Sequence, residues 1–320
     1  MALASLSLPL EANVPWLVPL QRSLTDAMSA GRLGHALLVQ IAPGLGGEWL
    51  ATWLAAKIFC ESPQTPCGVC RSCRRVQTGE QPDLLRIQPI EDSKEIRIDQ
   101  VRELAAELAL TSHGGRRKVA IISPADRLNR NAANALLKTL EEPAGQSLLV
   151  LVTGEPSRLP VTVQSRCTRL SIPIPHNRDL VDWLKSQADA ATDWDAVLSV
   201  LGARPFEALA ADGAAIAQFR RDTLRALEQS IAGSLDPVET AETWGKEDFD
   251  LRLACIESWI VGRIRDWAVR GRPASVEALF AALEDLREAR QWTDTPINKP
   301  LAIERLLWRL NATATSRRPA

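Results

Sequence analysis

Short apolar runs that alternate with amphipathic segments are the feature of the first half of the chain that most constrains its fold. The runs are rich in Val, Ile and Leu, which is typical of strands that are buried on both faces. They are His35–Ile41, Leu84–Ile87, Lys118–Ile122 and Leu148–Thr153. Parallel strands need crossover connections, and crossover helices cover both faces of the sheet. The first half therefore predicts an α/β fold built on a mostly parallel sheet.

The sequence changes character after a proline-containing linker at Pro173 and Pro175. Strand-like runs stop there, and helical patterns at Leu180–Ala188 and Asp195–Leu201 predict a small helical unit. A last helical block begins near Ala215. We therefore expect three domains, at about residues 1–174, 175–213 and 214–320.

The composition is typical of a globular protein of the cytoplasm. The chain has 320 residues, of which 46% are apolar and 24% charged. The apolar run Leu148–Val152 is too short to cross a bilayer, and Met1–Leu10 has no Lys or Arg before its hydrophobic part, so it is a poor signal peptide. The net charge of −1 argues against a chain that holds nucleic acid by itself.

A glycine-rich turn, Pro43–Gly47, follows the first predicted strand, which is where phosphate-binding loops lie. A loop of the Walker type needs Lys for the phosphates and Ser or Thr for Mg²⁺. Gly44 and Gly46 are loop glycines, but Gly47 stands where Lys belongs and Glu48 where Ser or Thr belongs. A carboxylate about 4 Å from a phosphate oxygen is repelled by about 4 kcal/mol at a surface-like dielectric constant. ATP is therefore not expected to bind productively, and the turn taken alone is better interpreted as a tight strand-to-helix connection.

The acids that hold magnesium are also missing. An ATPase places Asp and then Glu after the strand that corresponds to Val119–Ile122, whereas here Ser123 and Pro124 occupy those positions. The nearest acid, Asp126, comes two residues too late. Because two separate parts of the chemistry are absent, no intrinsic ATP hydrolysis is expected.

Four of the six cysteines lie close together with the spacing C-x6-C-x2-C-x2-C. They are Cys60, Cys67, Cys70 and Cys73. Clustered cysteines in a cytoplasmic protein favour a metal over disulfides. Four sulfur ligands leave no open position for water, so the spacing predicts a structural zinc rather than a catalytic one. The alternative is four reduced thiols without a metal.

Two further segments lie downstream of the loop. Asn134–Pro143 is an amphipathic helix pattern that ends at its proline, and Ser165–Cys167 precedes a strand-like run at Thr168–Ile172. The planar guanidinium of Arg166 could reach a phosphate bound to a neighbouring subunit. Taken alone, an arginine in this position is more often an ordinary surface arginine. Lys138, Glu141 and Glu142 form either an interface or DNA-facing surface, or the solvated side of the helix, and both alternatives stay open.

These segments resemble the bacterial DNA polymerase III clamp-loader subunits, which belong to the AAA+ family. The resemblance rests on Asn134–Pro143, Ser165–Cys167, the altered loop, the cysteine cluster and Leu148–Pro156. Gly202–Pro205 and Asn298–Leu307 match more weakly.

The substituted loop and acid positions distinguish members of this group. Gamma and tau subunits with intact loops share the Asn134–Pro143 pattern, so it indicates only the superfamily. Gly47, Glu48, Ser123 and Pro124 instead favour the delta-prime family.

The resemblance implies an N-terminal AAA+ module with a zinc-module insertion, a helical lid and a helical collar. It implies a hetero-pentamer with gamma or tau and delta subunits, which loads the sliding clamp onto primed DNA. That assembly is part of the DNA polymerase III holoenzyme, a DNA-directed DNA polymerase and hence a nucleotidyltransferase. Arg166 would be an arginine finger that acts in trans on ATP held by a gamma or tau subunit.

Two other functions are alternatives. One is an autonomous, gamma/tau-like AAA+ ATPase with a divergent loop, and the other is a zinc protein that binds nucleic acid. Thr153 matches a nucleotide-sensing position of active relatives, but the altered loop leaves its role unassigned. Arg204 lies near a second sensing arginine of those relatives, but Pro205 departs from the pattern, so Arg204 is left out of the site.

Overall fold

The computed structural model of the chain describes residues 8–63, 66–90, 93–113, 117–270, 276–291 and 298–315. Its contacts divide the chain into two compact units. The first unit contains the residues up to Trp183 together with Arg204–Phe206. The second contains Leu184–Ala203 and the residues from Glu207 onward. The finer division of the helical part into lid and collar stays a prediction.

The first unit is built on a five-stranded parallel sheet. Its strands are β1 Ala36–Gln40, β2 Leu84–Ile87, β3 Val119–Ile122, β4 Leu148–Thr153 and β5 Thr168–Ser171. Their order is β2-β3-β4-β1-β5, and every pairing is parallel. The predicted parallel α/β sheet is therefore confirmed. The register places Ala36 beside Leu149 and Gln40 beside Thr153, so β1 and β4 end at the same edge.

Helices cover this sheet. They are α1 Val18–Ser29, α2 Gly47–Phe59, α3 Arg71–Thr78, α4 Ile98–Ala109, α5 Arg130–Glu141 and α6 Val161–Gln164. Alternate residues of the strands, such as Leu38, Ala120 and Leu149, share a buried core with α4 and α5. This alternation follows from the two-residue period of a strand, which sends neighbouring side chains to opposite faces.

Helix α5 carries the Asn134–Pro143 pattern and is fixed at both ends. The Asn129 side chain caps its start by accepting a hydrogen bond from the Ala132 N–H at 2.9 Å. Leu136 and Leu140 are buried in the core of the sheet. The helix ends at Glu141, two residues before Pro143, as the proline predicts.

After β5, the regular elements of the described residues are all helices. They are α7 Asn177–Gln187, α8 Trp194–Leu201, α9 Pro205–Ala210, α10 Gly213–Ile231, α11 Pro237–Trp244, α12 Phe249–Arg270, α13 Val276–Gln291 and α14 Lys299–Thr315. Helices α10 to α14 share an apolar core that includes Leu253, Leu286 and Leu306. The predicted helical C-terminal part is confirmed. None of the described helices has the length and apolar character that a bilayer crossing requires.

Candidate functional site

The glycine turn lies at the carboxyl edge of the sheet, between β1 and α2. Gly44 and Gly46 adopt left-handed conformations with φ of 78° and 92°, which glycine adopts at little cost. Gly47 is the first residue of α2, and a Cβ there would lie 2.5 Å from Ile41 Cγ2 and 2.7 Å from Val152 Cγ1. The position that needs Lys in a Walker loop therefore has no room for any side chain.

Glu48 has a partner within the protein. Its carboxylate lies 3.9 Å from the Arg86 guanidinium, which also donates a hydrogen bond to Thr52 Oγ1 at 2.9 Å. Burial lowers the pKa of Arg86 below its ordinary value, and the Glu48 charge opposes that shift. A carboxylate at this position thus compensates a partly buried cation. This pairing could not be predicted from the sequence, because β2 and α2 are distant along the chain.

The segment Arg204–Phe206 packs on the turn from outside. The Phe206 N–H donates to the Gly44 carbonyl at 3.1 Å. A Cβ at Gly44 would lie 2.5 Å from Arg204 Cβ, and one at Gly46 would lie 2.5 Å from the Phe206 ring. The chain's own residues therefore cover both loop glycines.

Aromatic rings hold Phe206 in this position. Its ring stacks on Trp183 with 5.4 Å between centroids, and Trp49 lies 6.3 Å away. Trp16 completes the group by an edge contact with Trp183 at 5.1 Å, and its indole N–H donates to the Leu45 carbonyl at 2.8 Å. Phe206 could not be assigned to this site from the sequence, because its position depends on contacts with residues far away in the chain.

Asp126, the acid nearest to the positions where an ATPase holds magnesium, is buried in the fold. Asp126 Oδ1 accepts hydrogen bonds from Thr153 Oγ1 at 2.7 Å and from the Gly154 N–H at 3.1 Å. The Glu155 N–H in turn donates to Thr153 Oγ1 at 3.2 Å. Thr153 is completely buried, and Asp126 is nearly so. In this structure Thr153 and Asp126 therefore join the end of β4 to the turn after β3.

Arg166 lies between α6 and β5, and its side chain is 36% exposed. Its Nε–H donates to Glu141 Oε1 at 2.8 Å, and its Nη2 forms an ion pair with the same oxygen. Its Nη1 donates to the Thr162 carbonyl at 3.0 Å, and Ser165 Oγ lies 3.5 Å from Nη1. The guanidinium is thus held in one orientation at the surface.

The three charged residues at the C-terminal end of α5 and just after it differ in their contacts, although all three are exposed. Lys138 and Glu142 are exposed, and Glu142 forms no ion pair with the part of the chain that the structure describes. Of these three residues, Glu141 is the one that contacts Arg166. The sequence left the roles of these residues open, and the structure assigns Glu141 a partner.

The four predicted metal ligands come together. Their sulfur atoms all lie within 4.8 Å of one another, and Cys60 Sγ is 4.0 Å from Cys70 Sγ. Tetrahedral coordination at a metal–sulfur distance of about 2.3 Å separates neighbouring sulfurs by about 3.8 Å. Cys60 and Cys73 are buried, while Cys67 and Cys70 are half-buried. The cluster therefore fits a four-sulfur metal site.

Backbone hydrogen bonds favour the thiolate form of Cys70 in this cluster. The Cys70 N–H donates to Cys67 Sγ and the Cys73 N–H to Cys70 Sγ, both at 3.4 Å. Burial opposes ionisation of Cys70, but hydrogen bonds from the Glu61 and Cys73 backbone lower the pKa of its thiol to about 6. The thiolate is the form that binds metals. Burial raises the pKa of Cys73, and its hydrogen bond with Cys70 adds to that shift.

Comparisons with known proteins show the family of this chain. A family profile described as "DNA polymerase III, delta subunit" matches residues 19–176. The DNA polymerase III subunit delta′ of Pseudomonas aeruginosa is 32% identical over 252 residues, which is 77% of this chain and 77% of that protein. The subunit delta′ of Escherichia coli is 37% identical over 226 residues, which is 69% of this chain and 66% of that protein.

A solved structure is similar over nearly the whole chain. It is a DNA polymerase III gamma subunit-related protein from Thermotoga maritima, with a TM-score of 0.50 and 18% identity, covering 93% of this chain and 99% of that one. This similarity concerns the fold. The parallel sheet, the glycine turn after β1 and the helical second unit thus define an AAA+-like α/β protein. Within this class, the chain belongs to the DNA polymerase III subunit delta′ family.

Proposed function

We propose that the chain is a non-catalytic clamp-loader subunit that completes the ATPase site of a neighbouring subunit with Arg166. Membership of the delta′ family supports the clamp-loader role. The partners would be gamma or tau and delta subunits in a hetero-pentamer that loads the sliding clamp onto primed DNA. The helical second unit would then supply a lid and a collar for assembly.

The observation that carries this proposal is the lack of space at Gly47. A lysine cannot be accommodated between Ile41 and Val152 without displacing buried side chains. Glu48 adds a negative charge at the next position, and Arg204–Phe206 cover the turn. A productive site for ATP and magnesium in this chain is therefore disfavoured by sterics and by charge together.

Arg166 has the properties that a finger in trans requires. It is partly exposed, permanently charged and held by neighbours that fix its direction. An arginine supplied by another molecule to a transferring phosphoryl group increases the rate by ~10³ to 10⁵ in well-studied phosphate-hydrolysing switches. Hydrolysis itself would take place on ATP bound to the neighbouring subunit.

The cysteine cluster would hold a structural zinc ion. Cys60, Cys67, Cys70 and Cys73 supply four sulfurs, so no position is left for water or substrate. When bound, zinc would cross-link the end of α2 to the start of α3. Its contribution is to the stability of this module rather than to catalysis.

The test is ATP hydrolysis by a loader reconstituted from this chain, delta and an intact gamma-type subunit, with primed DNA and clamp. Arg166→Ala should cut DNA-stimulated hydrolysis at the site next to this chain by about 10³ or more. Total hydrolysis should then fall to what the remaining sites support. Arg169→Ala is the matched control, because Arg169 is also an exposed arginine nearby. Assembly of each variant is checked by gel filtration.

Two outcomes would oppose the proposal. If Arg166→Ala assembles normally and hydrolysis is unchanged, Arg166 is not the finger. If the isolated chain hydrolyses ATP by itself, the alternative of an autonomous ATPase is correct.

A further inference from the structure

The contact between Glu141 and Arg166 uses one defined edge of the guanidinium. A single carboxylate oxygen, Oε1, lies against both Nε and Nη2. The Thr162 carbonyl accepts from Nη1. A guanidinium carries five N–H donors, one on Nε and two on each terminal nitrogen. These contacts engage three of them, and the second donor on Nη1 has only the long 3.5 Å contact with Ser165 Oγ. Within the described part of the chain, one donor on Nη2 is therefore unengaged and one on Nη1 is held only weakly.

The remaining donors suit a phosphate. One N–H on each terminal nitrogen is the pair with which arginine meets two oxygens of one anion. Because Glu141 lies at the Nε side, an incoming phosphate does not have to displace the carboxylate. The carboxylate instead prevents the side chain from rotating away from this orientation.

We propose that Glu141 is the positioning residue of the Arg166 finger. It holds the guanidinium so that the two remaining N–H donors are available to the ATP of the neighbouring subunit. This inference rests on the proposed function of Arg166 and adds a second residue to the same site.

Both members of the pair are fixed to rigid elements. Glu141 is the last residue of α5, directly after the buried Leu140. The Leu140 carbonyl lies 2.8 Å from His35 Nε2, which ties the end of α5 to the residue before β1. The Arg166 N–H donates to the Val163 carbonyl at 3.2 Å. A side chain that is already held between fixed elements loses little conformational freedom when the hetero-pentamer assembles. Such pre-ordering of a side chain favours catalysis.

The simpler alternative is an ordinary surface ion pair. Glu141 is 51% exposed and Arg166 36% exposed, and exposed pairs contribute little to stability. Such a pair would leave the kinetics of the assembled loader unchanged when it is broken. The two explanations therefore differ in kcat and not in folding.

The experiment measures DNA-stimulated ATP hydrolysis by the reconstituted loader with Glu141→Ala, Glu141→Gln and Glu142→Ala. Glu141→Ala should lower kcat at the affected site roughly tenfold, because a long, rotamer-rich side chain must then be ordered during each turnover. The KM for ATP should not change, because the finger acts in the transition state. Glu141→Gln should recover part of the loss, because its amide oxygen still accepts from Nε–H. Glu142→Ala should match the parent.

A double variant tests whether Glu141 acts through Arg166. In the Arg166→Ala background, Glu141→Ala should have no further effect on kcat. An additional decrease in the double variant would overturn the inference, because Glu141 would then act independently. Normal kcat for Glu141→Ala, with a low kcat for Arg166→Ala, would overturn the inference and leave the proposed function intact. Normal kcat for Arg166→Ala would reject the proposed function itself.

Discussion

Restoring the missing lysine tests how strictly the fold excludes a phosphate-binding loop. A Cβ at Gly47 would lie 2.5 Å from Ile41 Cγ2 and 2.7 Å from Val152 Cγ1, whereas carbon atoms in ordinary contact are about 3.5–4.0 Å apart. Both neighbours are buried and β-branched, so their side chains are stiff at χ1. Neither can move aside without disturbing the strand end beneath it.

The change in the free energy of unfolding on substitution of Gly47 is the balance of two opposing contributions. Overpacking a core typically costs about 1–3 kcal/mol. Replacing a helical glycine by alanine gains at most about 1 kcal/mol. Gly47→Ala should therefore lower the free energy of unfolding by up to about 3 kcal/mol, and Gly47→Lys should lower it at least as much. The pair Gly47→Lys with Glu48→Thr, which restores the loop sequence, should still not bind ATP tightly.

Urea denaturation and ATP titration measure these two effects. Gly262→Ala is the matched control, because Gly262 is an exposed helical glycine whose added Cβ would meet nothing within 4 Å. That variant should be as stable as the parent or more stable. Stabilisation of the chain by Gly47→Ala, or ATP binding by the repaired loop with micromolar affinity, would contradict the steric exclusion at Gly47.

Two further predictions concern the metal cluster and the end of β4. Elemental analysis should find about one zinc per chain, and Cys70→Ser should lose it and unfold at a lower temperature; a metal-free parent would reject the zinc site. Thr153→Val should lower the free energy of unfolding by about 1–3 kcal/mol in a urea titration, because it removes one of the two hydrogen bonds that the buried Asp126 Oδ1 accepts. The exposed Thr78→Val should change it by less than about 0.5 kcal/mol, and equal effects of both variants would contradict this role for Asp126.

The strands could be predicted from the sequence because each leaves a local signal. β2 and β4 have the bounds of their apolar runs, and β1 lies inside the run His35–Ile41. The cysteine cluster was equally predictable, because Cys67, Cys70 and Cys73 follow a fixed local spacing. Helix α5 begins at Arg130, four residues before the predicted segment Asn134–Pro143, since the capping role of Asn129 leaves only a weak local pattern.

The contacts that define the site could not be predicted from local signals in the sequence. Glu141 and Arg166 belong to different elements, and the choice between Glu141 and Glu142 depends on where α5 ends relative to β5. The position of Phe206 on the glycine turn joins residues far apart in the chain. No period or spacing in the sequence encodes such long-range contacts, because they follow from packing of the whole unit.

The most direct test of the central claim is equilibrium ATP binding, together with hydrolysis, by the isolated chain in the presence of magnesium. A chain without a nucleotide site of its own should show no saturable ATP binding in the micromolar range and no release of phosphate above the buffer rate. Submicromolar binding with steady turnover, abolished by a substitution in the chain's own glycine turn, would contradict the central claim.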